Sequence, residues 1–185
     1  KGMLLTTVAC ATAGIVIGVV NLTGIGVTLT TLMVNIGGTS IILTLIVTMV
    51  ACIILGMGLP PTAAYILLGV LTAPALVKLG IEPLYAHMFV FYFSCLAPIT
   101  PPVALASFTA AGIAESDPMK TSITSAKIGL VAFIIPYMFI FGPALLAQGT
   151  MLEIGWTPIM ACLGVFVLAI ALTGWYKRHF IWYER

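Results

Sequence analysis

SIILTLIVTMVACIILGMGLPPTAAYILLGVLTAPALVKL, residues 40–79, carries one charged side chain, Lys78, and is broken in its middle by Gly56-Met57-Gly58-Leu59-Pro60-Pro61. A run this apolar has lipid as its solvent. The arms on either side, 40–55 and 62–79, are 16 and 18 residues long, whereas about 20 apolar residues are needed to cross roughly 30 Å of hydrocarbon. The turn between them has no charge to hold it in water. The stretch therefore reads as a re-entrant helical hairpin with its tip near mid-membrane, in preference to two full spans.

The rest of the chain agrees with a membrane setting. Of 185 residues, 62% are hydrophobic and 6% charged, with a mean hydropathy of +1.24. Such a composition excludes an ordinary water-soluble domain. Residues 2–77, 88–114, 128–152 and 154–176 hold no ionisable group except cysteine and tyrosine. Backbone in lipid must satisfy its own hydrogen bonds, and these tracts are too long and too continuously apolar for barrel strands. The expected fold class is an all-α polytopic membrane protein. A net charge of +2, with no basic stripe, excludes nucleic acid as a partner. Cys10, Cys52, Cys95 and Cys162 stand singly within apolar tracts, without metal or redox spacing, and read as buried small hydrophobes. The lipid bilayer is the partner that composition implies.

Four regions follow. Residues 1–38 read as a span over 3–20 and an interfacial helix after Asn21, Gly24 and Gly26. Residues 39–80 are the hairpin. Residues 81–116 open at Glu82-Pro83, an acidic residue and a first-turn proline, and form a helix that must unwind at Ala97-Pro98-Ile99-Thr100-Pro101-Pro102, where three prolines fall in six residues. Residues 117–185 supply a span over 121–147 kinked at Pro136 and Pro143, a last span ending at Tyr176, and a basic, aromatic tail that argues for a cytoplasmic C-terminus. Counting back, residues 115–127 are cytoplasmic, the hairpin opens from the outer face and Lys1 lies inside. The chain opens at Lys1 without methionine or a signal peptide, so an N-terminal portion is expected to precede it.

Two helix breaks at membrane depth carry the functional reading. Irregular backbone there is tolerated only inside protein or beside a polar cavity. Gly/Pro-interrupted apolar segments point to a transporter binding site, because unwound carbonyls can replace the hydration shell of a cation. The candidate cation and substrate residues are Gly56, Gly58, Pro60, Thr62, Ala97, Thr100, Pro101 and Pro102, with Pro61 beside them. The glycines permit close backbone approach, the threonines offer hydroxyl oxygens, and the prolines hold carbonyls free of helical partners. No carboxylate lies in these tracts, so coordination falls to carbonyls and hydroxyls, which suits weak, reversible binding of a hard cation. His87 reads as an interfacial hydrogen-bonding residue, with proton relay as the alternative. Ser94, Ser107 and Thr109 are expected to bond back to their own helix. Phe89, Phe91, Tyr92 and Phe93 read as packing or lipid contacts. An intramembrane enzyme would need a nucleophile with a base, or metal ligands, at membrane depth, and no such pattern occurs.

Gly56-Met-Gly-Leu-Pro-Pro-Thr-Ala-Ala-Tyr65, then Gly80-Ile-Glu-Pro83, then Ile99-Thr-Pro-Pro-Val-Ala104, in that order, resemble the large membrane subunit of tripartite ATP-independent periplasmic (TRAP) transporters, over nearly the whole chain. The Gly-Met-Gly-Leu-Pro form looks most like the fused permeases of the TAXI subgroup, here represented by the C-terminal part. Ala104 departs from the glycine that many members carry after Thr-Pro-Pro-Val. The resemblance implies one half of an inverted-repeat, elevator-type transport domain in a bacterial or archaeal inner membrane. It implies an ion gradient, sodium or else protons, and no cofactor. A periplasmic substrate-binding protein delivers small organic acids or amino acids, and the N-terminal part or a small membrane subunit completes the permease. A stand-alone ion-coupled anion symporter and a structural membrane scaffold are the competing expectations.

Overall fold

The structure is a computed structural model that describes residues 22–38 and 40–173 continuously, with isolated positions between 11 and 20 and between 175 and 179. The expected span over 3–20, the position of Lys1 and the end of the basic tail lie outside the continuously described residues. The described chain is helical, apart from a short antiparallel pairing of Trp175–Tyr176 with Arg178–His179. Among the described residues, three helical stretches are long and apolar enough to cross a membrane: Pro61–Lys78, Pro118–Phe141 and Met151–Leu172.

Helix α1, Ile25–Gly37, starts after a left-handed Gly24 and stops at Gly38, whose φ is 59°. It buries Thr30, Met33 and Gly37 and leaves Ile25, Val27, Leu32 and Ile36 exposed. Thr30, Met33 and Gly37 thus face the protein, and the large aliphatic residues face outward. Helix α2, Ile41–Gly56, is the first hairpin arm, capped by the Ser40 hydroxyl accepting from the Leu43 amide at 3.4 Å. Its buried Thr44, Thr48, Cys52 and Gly56 recur every four residues. Such a stripe lets helices approach closely where lipid supplies no hydrophobic drive between them. At Gly37 the approach of Thr44 leaves no room for any side chain.

The second arm breaks into α3, Pro61–Leu71, and α4, Ala73–Lys78, with Pro74 in the first turn of the latter. The sequence reading ran one helix through this point. Thr72 closes α3 instead, its hydroxyl donating to the Leu68 carbonyl at 2.8 Å. The chain then turns through Gly80, at φ +86°. The Gly80 amide bonds to Val77 O and that of Ile81 to Leu76 O, at 3.0 and 3.3 Å. This pair of bonds is the Schellman arrangement, and Leu76 and Ile81 are both buried, as its hydrophobic contact requires.

Helix α5, Pro83–Leu96, is the centre of the molecule, packing on α2, α3, α4 and α8. It buries Ala86, Phe89, Val90 and Phe93 on a helical period. Phe89 and Phe93 stack edge-to-face 4.9 Å apart, and Tyr137 of α8 meets Phe89 at 5.3 Å. A turn of 3₁₀ helix, Ala97–Ile99, ends this helix, and α6, Leu105–Ile113, begins after an irregular stretch. Helices α7, Pro118–Ile128, and α8, Ile135–Phe141, follow, joined by a 3₁₀ segment. The span expected over 121–147 ends at Phe141, because Gly142 leaves the helical region and Pro143 opens a separate 3₁₀ turn. Helix α9, Met151–Thr173, lies at the periphery, with residues of its apolar window partly buried or exposed and none fully buried. Thr150 and Glu153 cap it reciprocally, at 2.9 and 3.4 Å.

Asp117 caps α7 by accepting from the Lys120 amide at 2.7 Å. Asp117→Ala is expected to cost about 1 kcal/mol locally, seen as faster hydrogen exchange at the Lys120 amide. Unchanged exchange there would show that the cap does not hold the turn.

Candidate functional site

The two helix breaks, some forty residues apart in sequence, meet in space. A Cβ added at Gly56 would lie 3.0 Å from Ala97 Cβ, 3.5 Å from Leu68 Cδ1 and 3.8 Å from Ala64 Cβ. One added at Gly58 would lie 3.5 Å from Val103 Cγ1. The hairpin tip therefore runs along the irregular segment of the discontinuous helix. Gly58 also adopts φ +75°, a conformation that other residues enter only at a cost.

Why the chain breaks here is local chemistry. Pro60 is extended at φ −62°, ψ 149°, and Pro61 takes the first helical position of α3, where its missing amide is no loss. Pro98 sits in the 3₁₀ turn, Thr100 is extended at φ −100°, ψ 125°, and the Pro101-Pro102 peptide is cis. The candidate residues differ in exposure: Gly56 and Ala97 are buried, Gly58, Thr100 and Pro101 half-buried, and Pro60, Thr62 and Pro102 exposed.

The helix ends are sorted by sign. Gly56 ends α2 and Ala97 follows the end of α5, so the Gly56–Ala97 contact joins two C-terminal ends, whose carbonyls carry partial negative charge. Beyond the Gly58–Val103 contact the chain enters the N-termini of α3 and α6, where amides carry partial positive charge. One side of the break thus favours a cation and the other an anion.

Thr100 belongs to the first side. Its hydroxyl donates to the Leu96 carbonyl at 2.9 Å and its amide to Ala97 O at 3.1 Å. With the hydroxyl proton engaged, the oxygen lone pairs are what it can offer a ligand. His87 stands apart from the break, its Nδ1 3.3 Å from the Tyr65 hydroxyl across the α3–α5 packing. Ser94 and Thr109 bond back to Val90 O and Leu105 O, at 2.8 and 2.9 Å. Ser107 does not: it is buried without a hydrogen-bond partner among the described residues. The expectation that Ser107 bonds back to its own helix is thus not met, because the carbonyl four residues back belongs to Val103, in the irregular segment before the helix.

The family model for the DctM component of tripartite ATP-independent periplasmic transporters matches residues 2–154. No curated protein and no solved structure matches the chain. Transporters of this kind work with a periplasmic binding protein and a small membrane subunit. The match spans the hairpin, the discontinuous helix and both breaks, and the chain belongs to the DctM family, the membrane permease of TRAP transporters.

Proposed function

We propose that this chain is half of the moving, inverted-repeat transport domain of an elevator-type permease, of the fused TAXI kind. In this reading a sodium gradient drives uptake of small organic acids or amino acids across a bacterial or archaeal inner membrane. A periplasmic binding protein delivers the solute, and the N-terminal part of the permease completes the site. The observation that supports this most is the meeting of the two breaks at Gly56–Ala97 and Gly58–Val103, because it puts helix ends of opposite sign side by side. Such an arrangement suits a coupling cation beside an anionic solute. The cation would lie toward Gly56, Ala97 and Thr100, held by carbonyls and the Thr100 hydroxyl. Gly58, Pro60, Thr62, Pro101 and Pro102 would shape the tip and the break around the solute.

The test is uptake of a panel of radiolabelled carboxylates and amino acids into proteoliposomes holding the full-length permease and its binding protein, with and without an inward sodium gradient. Uptake is expected only when both the gradient and the binding protein are present. Sodium-independent uptake would overturn sodium coupling and transfer the role to protons, with His87 and Tyr65 as the groups to substitute. Uptake without the binding protein would overturn the tripartite assignment in favour of a stand-alone symporter.

A further inference from the structure

Ser107 Oγ is buried, with the residue 2% exposed, and has no hydrogen-bond partner among the described residues. A buried hydroxyl without a partner is costly, because its hydration is lost and nothing replaces it. The cause is local. Ser94, Thr100 and Thr109 each donate to the carbonyl four residues back. For Ser107 that carbonyl belongs to Val103, which precedes the helix and lies in the irregular segment. The break itself removes the acceptor.

Ser107 is the third residue of α6, a nine-residue helix. The first backbone bond there is Phe108 N–H to Ala104 O, at 2.8 Å, so the amides of Leu105, Ala106 and Ser107 precede the helical ladder. Helical side chains lean toward the N-terminus, so the Ser107 hydroxyl is directed over the turn that starts at Ala104. Ala104 and Ala111 are buried on the same face. Val103 and Leu105, on either side of the start of the helix, are each 41% exposed.

The chemistry is the reverse of that at Thr100. There the proton is engaged and lone pairs are on offer. At Ser107 a proton lacks an acceptor, next to first-turn amides at the positive end of a helix. Donors without acceptors complement an anion. Helix α6 carries no charged side chain, so the attraction comes from dipoles and suits a singly charged group bound reversibly.

We propose that Ser107 and the first-turn amides of α6 form a carboxylate subsite, in which the Ser107 hydroxyl donates a hydrogen bond to a carboxylate oxygen of the carried solute. The subsite is separate from the cation position at Gly56 and Ala97. Its ligand class rests on the transport reading, while the test below needs no uptake.

Formate, the smallest carboxylate, serves as the probe, with chloride at equal concentration as the control. In the purified full-length permease, sodium formate is expected to raise the thermal midpoint above that in sodium chloride. Ser107→Ala, which removes only an unpaired oxygen, is expected to be at least as stable as the parent and to lose the formate increment. A destabilised Ser107→Ala, or an increment it retains, would assign the hydroxyl a structural role and overturn the proposal. As a second measurement, Ser107→Cys in a background lacking the other cysteines is labelled with an anionic sulfonatoethyl or a cationic aminoethyl methanethiosulfonate. The anionic reagent is expected to react about tenfold faster, equivalent to about 1.4 kcal/mol, and formate, unlike chloride, to slow it. Equal rates, equal protection by chloride, or no labelling would each sink the subsite. Formate binding without any uptake would leave the subsite standing and the transport reading overturned.

Discussion

Gly56→Ala in the full-length permease is expected to cut uptake about tenfold or more, and adding Ala97→Gly to restore most of it. The methyl group would arrive 3.0 Å from Ala97 Cβ, and neither side can yield. Ala97 is fully buried in the 3₁₀ turn and has no rotamer to change. Leu68 and Ala64, both buried, close the other directions at 3.5 and 3.8 Å. Overpacking of this kind costs about 1–3 kcal/mol, and 1.4 kcal/mol already shifts a conformational equilibrium tenfold. The cost falls on the state in which the tip rests on the break, so that state is depopulated. The double variant exchanges the positions of methyl group and hydrogen across one contact, which makes rescue specific to that contact. The measurement pairs initial uptake rates with thermal midpoints in detergent. A single variant with parental uptake would show that tip and break do not touch in the working protein. Loss without rescue would place the damage elsewhere on the hairpin.

Thr100→Val is expected to raise the sodium concentration for half-maximal uptake by about tenfold, close to the 1.4 kcal/mol equivalent of one decade in affinity. Thr100→Ser is expected to stay near the parent. Valine keeps the branched shape and extended backbone preference of threonine while removing the oxygen. The Leu96 carbonyl loses its 2.9 Å donor, but it lies at a helix end that is already irregular, so the fold has little to lose. Sodium dependence read at saturating solute separates this effect from any on solute affinity. An unaltered sodium curve for the valine variant would remove Thr100 from the cation position.

How much of this was legible in the sequence differs from element to element. Long charge-free tracts dictate helices in lipid, and Pro98, Pro101 and Pro102 mark where one of them must stop, since each removes an amide. The stop within the second arm was less visible. Thr72 and Pro74 sit in an apolar run that reads as continuous, and the helix is interrupted there because Pro74 has no amide to continue the ladder, while the Thr72 amide and hydroxyl both close on Leu68. The premature end at Phe141 has a similar origin in Gly142. The candidate residues were identifiable as two separate groups. Their contact was not, because the pairing of Gly56 with Ala97 depends on how α2 and α3 both seat on α5. Ser107 was misjudged by a rule that holds inside helices and fails at their first turn, where the fourth residue back is no longer helical.

The buried hydroxyls of the hairpin also decide how expensive it is to move. Thr44, Thr48 and Thr72 each donate to the carbonyl four residues back, Ser40, Thr44 and Leu68. The Cys52–Thr72 contact, at 3.5 Å, stays between the two arms. These groups carry their partners with them, so displacing the arms together leaves none of them stranded in a medium where an unpaired polar group costs several kcal/mol. What resists motion is the fit of small residues, which vanishes within an ångström or two of separation. In the proposed transport cycle a gate built this way releases abruptly and reseats on the same contacts, and among the described residues its polar tethers to neighbouring helices are the Tyr65–His87, Thr30–Leu71 and Tyr137–Met49 bonds.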